Sequence, residues 1–200
     1  MLSRPTILLS ALAAFTSALP VDQALEPRVC GTINLPSTQI SLQQAAPDTS
    51  FSNTAAGDLS ISLSQSVSNT GQVINKVSSL IGFTTPPSGS YGCTLGITFP
   101  SNNPFTNLSG VSPTLDVYTV PSLPAGAPTW NNVQKGSLFG TVTVAAGQST
   151  TINSESCGSG LNFVIEYAGW VTGAGSVGWT EYINALNGAG LRGVFLNFNC

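Results

Sequence analysis

From Asp58 to Gln65 the chain alternates, with Leu59, Ile61 and Leu63 on one side of an extended strand and Ser60, Ser62 and Ser64 on the other. Period two is the signature of a half-buried strand. It recurs at Thr114–Val120, where Leu115, Val117 and Thr119 oppose Asp116, Tyr118 and Val120, and more briefly at Gln39–Gln43, read as an arm or edge strand. Strands are also predicted within Val73–Phe83, at Tyr91–Pro100, at Leu138–Val144 and after the Gly147-Gln148 turn, and Val177–Ile183 reads as a shorter strand or turn. Leu161–Tyr167 and Leu191–Phe198 are the most apolar runs and are expected to lie centrally, whereas the strand beginning at Asp58 is expected nearer an edge. Gly-, Pro- and Asn-rich stretches punctuate these runs, Pro86-Pro87 excludes a helix there, and no amphipathic run of helical length emerges. The pattern predicts an all-β fold, an antiparallel β-sandwich of jelly-roll type.

The first residues follow a different rule. Arg4 precedes an apolar stretch from Ile7 to Phe15, and Thr16-Ser17-Ala18 supplies small residues for cleavage. This predicts a signal peptide over residues 1–18, because the apolar stretch ends well short of the roughly 20 residues a membrane span needs. Residues 19–28 read as a short acidic pro-segment ending at Pro27-Arg28, leaving a single domain over residues 29–200 with an N-terminal arm. A secreted or extracellular protein, held in a cell wall or free, is the expectation.

Charge sharpens that picture. Charged residues are 6% of the chain against about 25% in an average soluble protein, and 42% hydrophobic content argues against disorder. Beyond residue 28 the only cations are Lys76, Lys135 and Arg192, too few for a nucleic-acid or anionic-membrane surface. Four cysteines, Cys30, Cys93, Cys157 and Cys200, imply two disulfides in an exported chain. Of the three connectivities we expect Cys93–Cys157, stapling the β domain, and Cys30–Cys200, tying the mature termini. Asn107-Leu-Ser109 is the one glycosylation sequon, expected on a loop between Ser101 and Pro113.

The chain contains no histidine. That removes Ser-His-Asp and Cys-His catalysis and any histidine metal site, and with no Asp-rich loop or phosphate loop no metal or cofactor is expected. Carboxylate chemistry remains. A glycosidase needs two acids about 5–9.5 Å apart, and Glu166 with Glu181 is the best couple, flanked in sequence by Trp170 and Trp179. Against this, Glu166 lies opposite Leu161, Phe163, Ile165 and Tyr167 in the alternation, which favours a solvent-facing residue or a partner of Arg192. Asp116 likewise reads as a solvent-facing strand residue. Trp130, in the turn Thr129-Trp-Asn-Asn132, is expected to cap the core, with the asparagines satisfying the turn, and the weaker alternative is a sugar platform. Trp170 and Trp179 flank the loop Gly173–Gly178 and are expected to be exposed, making that loop a candidate ligand surface.

Gly92-Cys-Thr-Leu, Leu115-Asp-Val-Tyr118, Thr129-Trp-Asn-Asn132, Gly140-Thr-Val-Thr143, Cys157 followed by Gly160-Leu-Asn-Phe, and Gly190-Leu-Arg-Gly-Val194 occur in an order that resembles the fungal secreted family of But-two C-terminal domains, over about residues 91–200. The family takes its name from a protein said to bind an activating enzyme of a ubiquitin-like modifier, an intracellular role that does not transfer to a chain with a signal peptide. The Trp130 turn also resembles that of DNRLRE-type jelly rolls, some of which bind polysaccharide. These observations predict a non-catalytic binding protein of the fungal cell wall or host interface, with cell-wall polysaccharide or an extracellular protein as partner. The rivals are a carbohydrate-binding module using Trp130, Trp170 and Trp179 and, more remotely, a glycosidase using Glu166 and Glu181.

Overall fold

The computed structural model describes residues 31–52, 60–158, 160–181 and 191–199. The expected signal peptide and pro-segment, Cys30 and Cys200 lie outside the described residues.

Thirteen strands and no helix occur among the described residues, and every pairing is antiparallel. They are β1 (Thr32–Asn34), β2 (Pro36–Gln43), β3 (Phe51–Ser52), β4 (Ser60–Val67), β5 (Val73–Phe83), β6 (Cys93–Thr98), β7 (Asn107–Gly110), β8 (Thr114–Thr119), β9 (Leu138–Thr143), β10 (Ser149–Glu155), β11 (Asn162–Tyr167), β12 (Gly175–Thr180) and β13 (Gly193–Phe198). One sheet runs β1-β13-β6-β10. The larger runs β7-β12-β4-β5-β11-β8-β9, with β2 bonded to β5 and β3 bonded to β2. This is the predicted β-sandwich.

Alternation builds the interior. Ile61 and Leu63 of β4, Ile81 of β5, Leu115 and Val117 of β8, Phe163 and Ile165 of β11 and Val177 of β12 turn one face of the large sheet toward Cys93, Leu95, Ile97, Val194 and Leu196 of the small one. Burying one such aliphatic or aromatic side chain stabilises the fold by about 1.5–3 kcal/mol. A second, smaller cluster sits on the opposite face of the large sheet, where Ile40, Leu42, Leu80 and Val164 are covered by Val120, Val133 and Trp130 from the connection between β8 and β9. Both faces of β11 are therefore apolar, which is why its sequence reads as a continuous hydrophobic run.

Two placements differ from expectation, those of β4 and of the sequon. β4 lies inside the large sheet, between β12 and β5, because both its backbone edges are paired, which a period-two pattern of its faces does not report. The Gln39–Gln43 stretch, read as an arm or edge strand, belongs to β2, an eight-residue strand paired with β5 and, at Ile40 and Ser41 alone, with the two-residue β3. The sequon loop contains an edge strand, β7, bonded to β12. The Gly147-Gln148 turn, with Gly147 at φ 76°, does not close a hairpin: β9 pairs with β8 in the large sheet and β10 with β6 in the small one.

Candidate functional site

The connection carrying Trp130 is pinned by its asparagines. Thr129 N–H donates to Asn132 Oδ1 (2.7 Å), Asn132 Nδ2 donates to the Ala127 carbonyl (3.0 Å), and Val133 N–H closes the turn on the Thr129 carbonyl (3.2 Å). Asn131 ties the turn to the segment after β2, through Nδ2 to Asp48 Oδ1 (2.8 Å) and N–H to the Pro47 carbonyl (3.1 Å). The expected backbone-satisfying role of Asn131 and Asn132 is thus present. The Trp130 ring, however, caps the outer cluster of the large sheet rather than the core between the sheets.

Beside that ring lies a cleft of about 130 Å³ whose apolar floor is Leu42, Val133 and Val164, with Ser78, Lys135 and Glu166 supplying its polar side. Glu166 shares the outward parity of Val164 on β11 and is buried, not solvent-facing. Its carboxylate accepts from Lys135 Nζ at 2.8 Å and from Ser78 Oγ at 3.2 Å, so its partner is Lys135 and not Arg192. Lys135 Nζ also stands 4.9 Å from the centroid of the Tyr118 ring, a cation–π distance. Desolvation, followed by the negative charges of Asp116 and Glu166, raises the Tyr118 hydroxyl above its ordinary range.

Asp116 is also buried, contrary to expectation. It accepts from Thr141 Oγ1 (2.6 Å), from Gly169 N–H (3.1 Å) and from Tyr118 OH (3.3 Å), fixing β8 to β9 and to the turn after β11. Arg192 Nε donates to the Thr180 carbonyl at 2.7 Å.

Glu181 stands apart from this cleft. With Trp179 it shares the inward parity of Val177, and it is completely buried. Trp179 Nε1 donates to Glu181 Oε1 at 2.8 Å, and Val194 N–H donates to both carboxylate oxygens, at 2.8 and 3.1 Å. Gly193, at φ 85°, allows this approach, since an added Cβ would collide with the carboxylate. Burial pushes Glu181 up to about 8, while the Trp179 and Val194 hydrogen bonds and the Arg192 charge pull it down only in part. Glu166 on the outer face and Glu181 in the core therefore do not form the facing pair a glycosidase requires.

The tryptophan surface is corrected in the same way. Trp179 is fully buried, its ring edge-on to Phe99 at 5.2 Å, because position 179 faces the small sheet. Trp170 is 63% exposed, in the turn following β11. The Gly173–Gly178 loop is largely strand β12, and its start is clamped by Gln65, whose Nε2 donates to the Val171 and Gly173 carbonyls at 2.7 Å each. Trp130, Trp170 and Trp179 thus do not make one exposed row. Cys93 and Cys157 are joined as expected. Asn107 is exposed on β7, and the expected Cys30–Cys200 bond lies outside the described residues.

Lys135, Ser78 and Leu42 were not legible as site residues. Lys135 offered a partial signal, as a rare cation five residues beyond Trp130. Ser78 and Leu42 gave none, because their approach depends on β2 pairing with β5.

The chain is an antiparallel β-sandwich in which Asp116, Glu166 and Glu181 are held in structural bonds and a cleft combines a tryptophan, an apolar floor and one ion pair. The chain matches, over residues 34–184, the family described as Ubiquitin 3 binding protein But2 C-terminal domain, and it belongs to that family. The match begins at the end of β1 and takes in β2 to β5, upstream of the residues that carried the resemblance in the sequence. A comparison with curated proteins finds no match.

Proposed function

We propose that this is an exported, non-catalytic binding protein acting at a fungal cell wall or host surface, with the Trp130 cleft as its contact site. The observation that carries this reading is the state of the acids. Glu166 is engaged by Lys135 and Ser78, Asp116 by three donors, and Glu181 by Trp179 and Val194 inside the core. Among the described residues, Glu166 and Glu181 are not placed across a cleft to divide acid and base roles. The cleft itself suits a small apolar group: it is about 130 Å³, walled by a ring on a rigid turn and bordered by charge. Such an aromatic, held before the partner arrives, is the usual anchor of a binding surface.

The test is retention of the secreted protein on insoluble chitin, β-glucan and cellulose, and on whole wall preparations. Trp130→Ala is expected to lower retention roughly tenfold or more, as truncation of a central aromatic does. Lys135→Ala, which removes a half-exposed side chain from the cleft border, is expected to weaken retention and also to lower the thermal midpoint, because it leaves the buried Glu166 carboxylate without its cation. Equal retention by all three proteins would move the contact site elsewhere. Glycan hydrolysis abolished by Glu166→Gln in a folded protein would overturn the non-catalytic reading.

A further inference from the structure

A second, open cavity, of about 240 Å³, is bordered by β2, β3, β4 and β5 and lined by Gln39, Phe51 and several serines, among them Ser41, Ser62 and Ser79. It arises where β4 parts from β5. The two strands pair only between Ser64–Val67 and Val73–Val77, and residues 60–63 of β4 bond to β12. On the other side Ser41 of β2 is registered against Ser79 of β5. Strand alternation turns Gln39, Ser41 and Ser79 away from Leu42 and Ser78, which line the Trp130 cleft, so the two cavities lie on opposite faces of the β2–β5 pair.

Gln39 is the telling residue. It is 1% exposed, and neither its amide nitrogen nor its amide oxygen has a hydrogen-bond partner among the described residues. Buried amides are nearly always satisfied in native folds, and an aliphatic residue here would keep the strand without that cost. An amide presents one acceptor and two donors side by side. That pattern matches adjacent hydroxyls on a carbon ring, one donating to Oε1 and the next accepting from Nε2. Serine hydroxyls can give or take a hydrogen bond, and so suit a ligand with hydroxyls at several bearings. The described residues lining the cavity carry no charge, which disfavours an ionic ligand, and the Phe51 ring offers an apolar face. The volume corresponds to about eight waters at roughly 30 Å³ each, enough for a single sugar ring.

We propose that this cavity binds one neutral pyranose, with Gln39 reading two adjacent hydroxyls and Phe51 meeting the ring's apolar face. The site is independent of the Trp130 cleft and stands or falls separately from it.

The experiment is a titration of the ¹⁵N-labelled full secreted protein with D-glucose, D-mannose and N-acetyl-D-glucosamine in turn, followed by NMR. At least one sugar is expected to give saturable shifts of the Gln39 side-chain amide and of the Ser41 and Ser79 backbone amides, with a dissociation constant in the millimolar range or tighter. Gln39→Leu, similar in size, should weaken that response at least tenfold, and Ser62→Ala, at an exposed position, should weaken it with the fold kept. Trp130→Ala should leave it unchanged. No saturable shift with any of the three sugars would mean that water alone fills the cavity and would overturn the proposal. So would shifts confined to the Trp130 turn, or undiminished affinity in both Gln39→Leu and Ser62→Ala.

Discussion

Glu181 shows how much one side chain can do inside an otherwise apolar interior. It sits between Trp179 of β12 and the Val194 amide of β13, so its carboxyl group links the two sheets across the core. Burial raises it from the ordinary 4.5 to about 8. Between those values the folded chain holds a proton that the unfolded chain has released. Its contribution to stability is therefore complete below about pH 4.5, declines as pH rises, and levels off above about pH 8. The decline is at most about 1.4 kcal/mol per pH unit. Urea midpoints measured from pH 4.5 to 8.5 are expected to fall in the wild type relative to Glu181→Gln, which carries no titrating group there. A constant difference between the two proteins would show that Glu181 ionises at its ordinary pH in the fold. Glu155, also raised by burial, contributes with the same sign, and it cancels in this comparison.

At the scale of elements, what the sequence revealed depended on how local each signal was. The alternation of Leu115 and Val117 against Asp116, and of Phe163 and Ile165 against Glu166, located β8 and β11 and sorted their faces correctly. It did not disclose that Asp116 and Glu166 are themselves buried, because what surrounds them comes from elsewhere along the chain: Thr141 and Gly169 bond to Asp116, and Trp130, Val133 and Lys135 lie beside Glu166. Trp179 was misplaced for a related reason: the glycines just before it suggested a loop whose edge would be exposed, yet Gly175 and Gly178 are strand residues of β12. The Gln39 cavity was invisible, since it needs β4 to diverge from β5. The sequon was misassigned because β7 is a four-residue edge strand with all its residues exposed, too short and too polar for a period-two pattern. That edge carries its own prediction. Leu108 is 54% exposed on a strand that ends the large sheet, a geometry prone to pairing with another chain. We expect a glycan at Asn107 to shield it. Asn107→Gln should remove the mobility shift seen on enzymatic deglycosylation and increase self-association in sedimentation. If wild type produced through a glycosylating secretory host shows no such shift, Asn107 is unmodified and the edge is guarded by its shortness alone.

For the whole molecule the governing fact is that neighbours in space are distant in sequence. β6 pairs with both β10 and β13, β5 pairs with β2 and β11, and β12 pairs with β4 and β7, so neither sheet can form from one continuous stretch. Such topologies close long loops before contacts compensate for the lost entropy, and they fold slowly. The Cys93–Cys157 bond acts on this cost. It spans a separation of 64 residues and fastens the start of β6 to the segment after β10, beside the registered pair Glu155 and Cys93. Closing a loop of that length restricts the unfolded chain by about 4 kcal/mol in the chain-entropy account. The double variant Cys93→Ala/Cys157→Ala is therefore expected to melt roughly 10 °C lower than the wild type, given about 2–4 °C per kcal/mol for a chain of this size. Removing sulfur from Cys93, which is fully buried, adds to the loss, so the single variant Cys157→Ala, at a partly buried position, separates the two effects. If the bond acts mainly by restricting the unfolded chain, Cys157→Ala alone should reproduce most of the shift, and adding a reductant should change it little further. A shift that appears only when Cys93 is also replaced would place the stabilisation in core packing instead, and make the crosslink secondary to the apolar contacts around it.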